Sequence, residues 1–237
     1  RELIQDVLER DEKAEYPARH IKNIAELGFL GMMIDPKYDG GGMDTVSYIL
    51  AMEEFSKIDA SVSVIMSINN SLVCYGLQKY CTEEQKQKYL KPLARGEVIG
   101  AFLLSEPEAG SDVGALTAKA VRNDDGTFSI TGQKIFISSG EHDLVENIIH
   151  PVLARIEGAP AGTKGISLFL VSKYHVNADG SLGDLNDMAC VGIEEKMGIH
   201  GNSTCTLAFG EKGQCIGTLL GEENKGMRAM FLMMNEA

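Results

Sequence analysis

Up to residue 97 the apolar positions recur at helical spacing. Leu3, Ile4, Val7 and Leu8 stand among charges, and Ile21, Ile24, Ala25 and Leu27 repeat the pattern before Gly28, a helix stop. Asp44 is placed to cap a helix over residues 45–58, whose apolar positions include Val46, Ile49, Leu50, Met52 and Phe55. Either Asp59 or Ser61 can cap the next segment, residues 61–80, which is apolar nearly all round and predicts a buried central helix. Thr82 followed by Glu83, Glu84 and Gln85 is a capping-box start for a helix running to Leu93 or Arg95, with Gly96 as its stop. Residues 35–42 are a Pro- and Gly-rich loop.

After Gly96 the period changes to two. Residues 98–104, 127–131, 134–138, 148–156, 165–171 and 205–209 are strand candidates rich in β-branched or aromatic residues, separated by Gly, Asn and Asp turns. Asn123-Asp124-Asp125-Gly126 reads as a hairpin turn. Beyond Gly221 a polar turn leads into a Met-rich helix start. The pattern therefore predicts an α+β chain: a helical domain over 1–97, a β domain over 98–221, and the opening of a further helical region over 222–237. Both ends fall inside amphipathic patterns, which reads as a chain cut from a longer one, so that the lack of a signal peptide says nothing of the parent.

Composition narrows the function classes. With 34 acidic and 22 basic residues the 237-residue chain carries a net charge of −12, which argues against a nucleic-acid surface, since duplex affinity comes largely from Lys and Arg neutralising phosphates. The uncharged stretches carry Ser, Asn and Gln throughout, so no membrane span is expected. Five cysteines form no C-x-x-C pair and read as reduced thiols of a cytosol-like compartment. Five histidines show no ligand spacing, so no metal is expected. Gly40-Gly41-Gly42 puts Thr45 where a dinucleotide loop needs glycine. Gly158 to Lys164 misses the phosphate-loop spacing, and Ser105 and Ser111 lack the context of a nucleophile elbow.

One stretch carries chemistry: Phe102-Leu103-Leu104-Ser105-Glu106-Pro107-Glu108-Ala109-Gly110-Ser111-Asp112-Val113. A strand ends in a turn held by Pro107 and Gly110, with hydroxyls on both sides of the bend. Such a loop offers N–H groups and short hydroxyls to a flat polar ligand. The same residues equally make a plain Pro/Gly turn with Ser111 or Asp112 capping local backbone and Glu106 fixing loop charge.

That stretch resembles the flavin-binding signature of the acyl-CoA dehydrogenases. The likeness continues through Ile130-Thr131-Gly132-Gln133-Lys134-Ile135-Phe136-Ile137-Ser138, Lys164-Gly165-Ile166-Ser167-Leu168-Phe169-Leu170-Val171 and Lys196-Met197-Gly198-Ile199-His200-Gly201-Asn202-Ser203-Thr204. Upstream, Ala51-Met52-Glu53-Glu54 and Met66-Ser67-Ile68-Asn69-Asn70-Ser71-Leu72 resemble the helical domain, especially of the short-chain branch. The resemblance implies a helical N-terminal domain, a β-barrel-like middle domain and the start of a C-terminal helical bundle. It implies that Phe102, Leu104, Ser105, Gly110 and Ser111 line FAD, with Ser111 also near the acyl-CoA, and that Phe136, Ile137 and Ser138 form a second flavin strand. Asn235 falls where members often place an Asp for the CoA moiety. Leu103 stands where a small residue is usual and Phe136 where Trp is common. The loops over 141–163 and 177–193 are longer than in short-chain members and resemble a larger-subunit branch acting on varied thioesters.

The activity implied is α,β-dehydrogenation of a short- or medium-chain acyl-CoA or related thioester: a carboxylate takes the α proton while the β hydrogen leaves as hydride to flavin N5. The family's base matches Ala237, with Glu236 one residue off, so a Glu beyond residue 237 is expected and the chain alone is expected to be inactive. An acyl-CoA oxidase and a non-catalytic flavin- or acyl-CoA-binding protein are the alternatives. The resemblance further implies an electron-transfer flavoprotein as acceptor, a homotetramer, and a cytoplasmic or mitochondrial-matrix location. The Met side chains of residues 227–234 are expected to pack against a following bundle, and Lys196 and His200 to be either phosphate contacts or solvated loop residues.

Overall fold

The computed structural model describes residues 2–237; Arg1, the first position of the expected helical domain, lies outside the described residues. Helices α1 (Val7–Lys13), α2 (Ala18–Glu26), α3 (Thr45–Ser56), α4 (Ala60–Tyr80) and α5 (residues 83–95) form the first part of the chain. Asp44 caps α3 by accepting from the Ser47 N–H at 2.8 Å. Asp59, rather than Ser61, caps α4: its Oδ1 accepts from the N–H groups of Ser61 and Val62 at 2.9 and 3.1 Å, while Oδ2 takes the Arg10 guanidinium at 2.7 Å. The capping box of α5 closes through Thr82 and Gln85.

Helix α4 is long and apolar enough to cross a membrane, with a mean hydropathy of 1.3, yet 72% of that window is buried inside the protein, so it is the core helix that its pattern predicts. Its middle, Ile68–Cys74, widens into a π turn. There Asn69 and Asn70 are fully buried. Buried amides need partners, and these find them in three other segments, residues 29–32, Leu93 and Gly100. The Asn69 amide donates to the carbonyls of Leu30 (2.8 Å) and Leu93 (3.1 Å) and accepts from the Gly100 N–H (3.0 Å). Asn70 donates to the Phe29 carbonyl (2.7 Å) and accepts from the Met32 N–H (2.8 Å). A second π turn, Lys86–Leu90, precedes Pro92 inside α5. Proline has no N–H to donate and its ring crowds the carbonyl four residues back; the wider turn makes room for it.

Ten strands follow. Strand β1 (Ile99–Gly100) runs parallel to β4 (Ile148–Ile156), and the extended chain continues alongside it to Leu103. Strands β2 (Lys119–Arg122), β3 (Phe128–Ser138), β4, β5 (Ile166–Ser172) and β10 (Ile216–Leu219) close into a ring, because β2 pairs both antiparallel β3 and parallel β4. Strands β9 (Thr204–Phe209) and β8 (Met188–Ile193) extend the far end of β3, and β6 (Tyr174–Val176) pairs with β7 (Leu182–Leu185) as a separate hairpin. This is the barrel-like α+β architecture expected. The two candidates 127–131 and 134–138 are one strand with a break in register, and β2, β6, β7, β8 and β10 are strands that the pattern did not single out.

Strands β4 and β5 are buried along almost their whole length, which explains their continuous apolar runs. Val152, Ala154, Phe169 and Val171 face the barrel interior with Phe128, Ile130 and Leu207. Ile149, Leu153, Leu168 and Leu170 face outward against α4, α5 and the last helix, α6 (Gly226–Glu236). Met230 and Met233 of α6 are buried in this second core. The expectation that these methionines wait for a following bundle is therefore corrected: a glycine at position 76 brings α6 so close that an added Cβ would lie 2.8 Å from Met233. Met234 and Phe231 stay exposed, at 47% and 58%.

Helix α3 departs from its apolar pattern. Val46, Ile49 and Leu50 face outward, while Tyr48 is the side chain it buries.

Candidate functional site

Residues 104–113 leave the edge of β4 and turn back sharply. The N–H of Glu106 donates to the Ala109 carbonyl at 3.2 Å and that of Ala109 returns to the Glu106 carbonyl at 3.1 Å, closing a turn around Pro107 and Glu108. The Glu106 side chain points inward, only 3% exposed, to meet Lys134, which is fully buried. Lys134 Nζ donates to Glu106 Oε1 and to the Leu104 carbonyl, both at 2.9 Å. The remaining acceptor capacity of the carboxylate is filled by the Thr117 N–H (2.6 Å), the Thr117 hydroxyl (2.8 Å) and the Ala118 N–H (3.0 Å). Burial by itself would raise the Glu106 pKa, but the Lys134 charge and the Thr117 bonds outweigh it and hold the carboxyl below its usual range. Burial lowers Lys134, with Glu106 opposing it. The loop is thus pinned from inside the barrel by a closed polar knot.

The outer side of the loop is the reverse case. Among the described residues the N–H groups of Ser105, Gly110 and Ser111 have no partner in the protein. Gly110 and Ser111 are exposed, and Leu104 and Ser105 half-buried. Since no peptide bond among the described residues is cis, a Leu104 carbonyl turned in to Lys134 forces the Ser105 N–H outward. The Ser105 carbonyl accepts from the Ile135 N–H at 2.9 Å, which ties the loop to β3 at its irregular point. There the pairing with β9 shifts register between Lys134 and Ile137, and Phe136 takes a left-handed φ of 58° with 61% of its surface exposed. A large aromatic on a strained backbone, facing water, marks a place where geometry is set for something other than packing.

Of the residues singled out from sequence, Ser105 and Phe136 are thus brought together through the Ser105–Ile135 bond, with Gly110 and Ser111 on the second arm of the same loop. Ser138 is half-buried and pairs with Thr204. Ile137 is 2% exposed with its side chain in the barrel core, so its backbone is what it presents. Phe102 is 9% exposed and packs in the core beneath the helices. Asn235 lies exposed on the last turn of α6. Glu236 sits beside Tyr75 of α4, whose hydroxyl pKa is raised by burial and then by that carboxylate.

Three further residues shape the site. Thr117 completes the Glu106 knot. Arg155 donates to the carbonyls of Gly114 (3.2 Å), Gly162 (2.9 Å) and Pro160, fastening the 112–116 turn to the loop after β4. Lys134 was visible only as one letter of a matched block. Its signal was the strand phase: with Phe128 and Ile130 it falls on the inward side of β3, where a cation requires an acid. Lys196 and His200 are engaged internally instead. Lys196 donates to the carbonyls of Ile199 and Asn202, and the His200 ring pairs with Asp11 at 2.9 Å, fastening their loop to α1.

Comparison with known proteins gives a consistent picture. The chain matches the family model "Acyl-CoA dehydrogenase, N-terminal domain" over residues 1–97 and "Acyl-CoA dehydrogenase, middle domain" over residues 101–211. It is 47% identical over 169 residues to a butyryl-CoA dehydrogenase of Syntrophomonas wolfei, covering 69% of this chain and 28% of that one. It is 38% identical over 212 residues to a 3-methylmercaptopropionyl-CoA dehydrogenase of Ruegeria pomeroyi, covering 90% and 35%. Among solved structures, butyryl-CoA dehydrogenase from Megasphaera elsdenii superposes with a TM-score of 0.83 at 34% identity, covering 100% of this chain and 58% of that one. An acyl-CoA dehydrogenase complexed with FAD from Bacillus anthracis superposes with a TM-score of 0.76 at 30% identity, covering 92% and 35%. The chain thus spans less than two thirds of the length of each of these proteins.

Proposed function

The chain belongs to the acyl-CoA dehydrogenase family, and we infer from that membership that the intact protein binds FAD and desaturates an acyl-CoA thioester between its α and β carbons. The observation that carries the reading is the outward set of free donors at Ser105, Gly110 and Ser111 beside the exposed ring of Phe136. A flavin offers what these residues lack: a polar edge of carbonyls and ring nitrogens, a flat face, and a pyrophosphate. The residues fit the group. Bound there, FAD supplies the hydride acceptor for the substrate's β hydrogen.

This chain's own contribution is binding and orientation. Phe136 would cover an aromatic face, the Ser105 N–H and hydroxyl would meet a polar edge, and Gly110 and Ser111 would present N–H groups where glycine lets a ligand approach the backbone. Ser111, on the open arm of the loop, is the residue of this chain assigned to both FAD and thioester, and Asn235 a polar contact for the CoA moiety. The α proton needs a carboxylate. The family's base position matches Ala237, with Glu236 one residue off, so the base is assigned to a part of the protein outside this chain, and the chain alone is expected not to turn over. The relatives named for butyryl and 3-methylmercaptopropionyl thioesters support a short or related acyl group. An electron-transfer flavoprotein as acceptor, a homotetrameric assembly and a reducing compartment, which the five free thiols suit, complete the proposal.

The test adds a series of acyl-CoA thioesters to the intact protein and follows the oxidised-flavin absorbance band. Bleaching with a short thioester under anaerobic conditions is the expected result. Flavin retained with no bleaching by any thioester would leave a non-catalytic binding protein, and bleaching followed by rapid recovery in air would identify an oxidase.

A further inference from the structure

The Glu106–Lys134 pair is more heavily constrained than holding a turn requires. Both side chains are buried, at 3% and 0% exposure. A buried ion pair is generally weak evidence for stability, because desolvating both charges offsets their attraction. The Glu106 carboxylate alone accounts for the Thr117 and Ala118 bonds. What the cation adds beyond balancing that charge is a bond to the Leu104 carbonyl, the third member of the knot at 2.9 Å from Lys134 Nζ.

That carbonyl belongs to the same rigid peptide as the Ser105 N–H, and in a trans peptide the two point in opposite directions. With the carbonyl of Leu104 fixed inward by Lys134, and the carbonyl of Ser105 fixed sideways by the Ile135 N–H at 2.9 Å, the Ser105 N–H has one direction left. It has no partner among the described residues, and the Ser105 carbonyl ties it to Ile135, the neighbour in sequence of the exposed Phe136. We propose that Lys134, neutralised by Glu106, is a positioning residue that aims the Ser105 N–H at the flavin. Glu106 has a second part in this: held by the Thr117 and Ala118 N–H groups, it fixes where Nζ can sit. The two residues act through the peptide and touch neither flavin nor substrate. The proposal rests on the flavin reading of the loop.

The experiment compares the intact wild-type protein with Lys134→Met and with the double variant Glu106→Gln/Lys134→Met. The single variant leaves a carboxylate buried without its cation and is expected to lower stability as well as flavin binding. The double variant removes both charges, and the one amide oxygen then at position 106 can still accept from the Thr117 N–H and hydroxyl, which share Oε2, while the Ala118 N–H on Oε1 loses its acceptor; its apoprotein is expected to melt below wild type but above the single variant. Three readouts are taken: apoprotein melting temperature, flavin dissociation constant by fluorescence titration, and the visible absorption spectrum of the bound flavin. The double variant should bind flavin at least tenfold more weakly, with a shifted band, because the Leu104–Ser105 peptide is free to turn. Lys134→Arg should restore part of the affinity by offering the carbonyl a donor again. A folded double variant with wild-type affinity and spectrum would overturn the positioning role and leave the flavin reading intact. A wild-type protein that takes up no flavin would overturn that reading, and the proposal with it.

Discussion

With 61% of its surface in solvent and its place at the break in β3 register, Phe136 contributes little to the barrel core. Phe136→Ala should therefore move the melting temperature by no more than about 2 °C while weakening flavin binding about tenfold, the order of an aromatic stacking contact. Titration of the purified apoprotein with FAD, alongside a melting curve, checks both halves. Two other residues matter to stability in the opposite way. His142 and His150 are buried as neutral rings, and burial is the main reason that their pKa values fall to about 3 and about 4. In the unfolded chain they titrate near 6.5, so on acidification the unfolded state takes up protons that the folded state refuses. Stability is then lost as pH falls below about 6.5 and continues to fall toward pH 4. Between pH 6.5 and 5 the loss is about 2 kcal/mol per histidine. Urea midpoints measured over that range should show it, and His142→Leu should flatten the slope. At this scale sequence was a partial guide. Lys134 could be read as inward-facing from the phase of β3, but nothing local announces that its carboxylate lies 28 residues earlier in a turn, or that it also holds a carbonyl.

Helix α4 shows what a hydrophobic pattern conveys about an element and what it omits. Its apolar circumference was enough to identify a buried helix. The π turn and the two amides that bolt it to the segments around it were not, because an Asn in an apolar run looks the same whether it faces water or four partners. Asn69→Ala would leave the Leu30 and Leu93 carbonyls and the Gly100 N–H without their bonds. A cost of about 3 kcal/mol is expected, seen as a lower denaturant midpoint at unchanged slope. The glycine at that contact is equally constrained: an added Cβ on Gly100 would lie 2.5 Å from the Val73 side chain. Gly100→Ala should cost about 1–3 kcal/mol by overpacking. The missed strands have a common cause. β2 is Lys-Ala-Val-Arg and β10 is Ile-Gly-Thr-Leu, too short and too poor in large apolar residues to stand out locally. They become strands because the neighbours on both sides offer unpaired backbone.

Across the whole molecule, β4 and β5 form the wall between two cores, one inside the barrel and one under the helices. Their unbroken apolar runs made that position legible from sequence, and the switch from helical to two-residue period located the change of architecture. Closure of the ring was not legible, because it depends on β2 pairing in parallel with β4, a strand that comes two later in the chain. That closure is narrow: two residue pairs, Lys119 with Arg155 and Ala120 with Ile156, carried by bonds from the Arg155 N–H to the Ala118 carbonyl and from the Glu157 N–H to the Ala120 carbonyl, each at 2.9 Å. The antiparallel contact between β4 and β5, by contrast, runs through seven pairs.

A zip with two teeth opens before one with seven. The amides of Arg155 and Glu157 should exchange with deuterium sooner than those in the middle of β4, and because β2 is the direct continuation of the loop that carries Ser111, occupying that loop should slow them. The cofactor would then act as a clasp, and its departure would be felt first as breathing at the far end of the loop it had left.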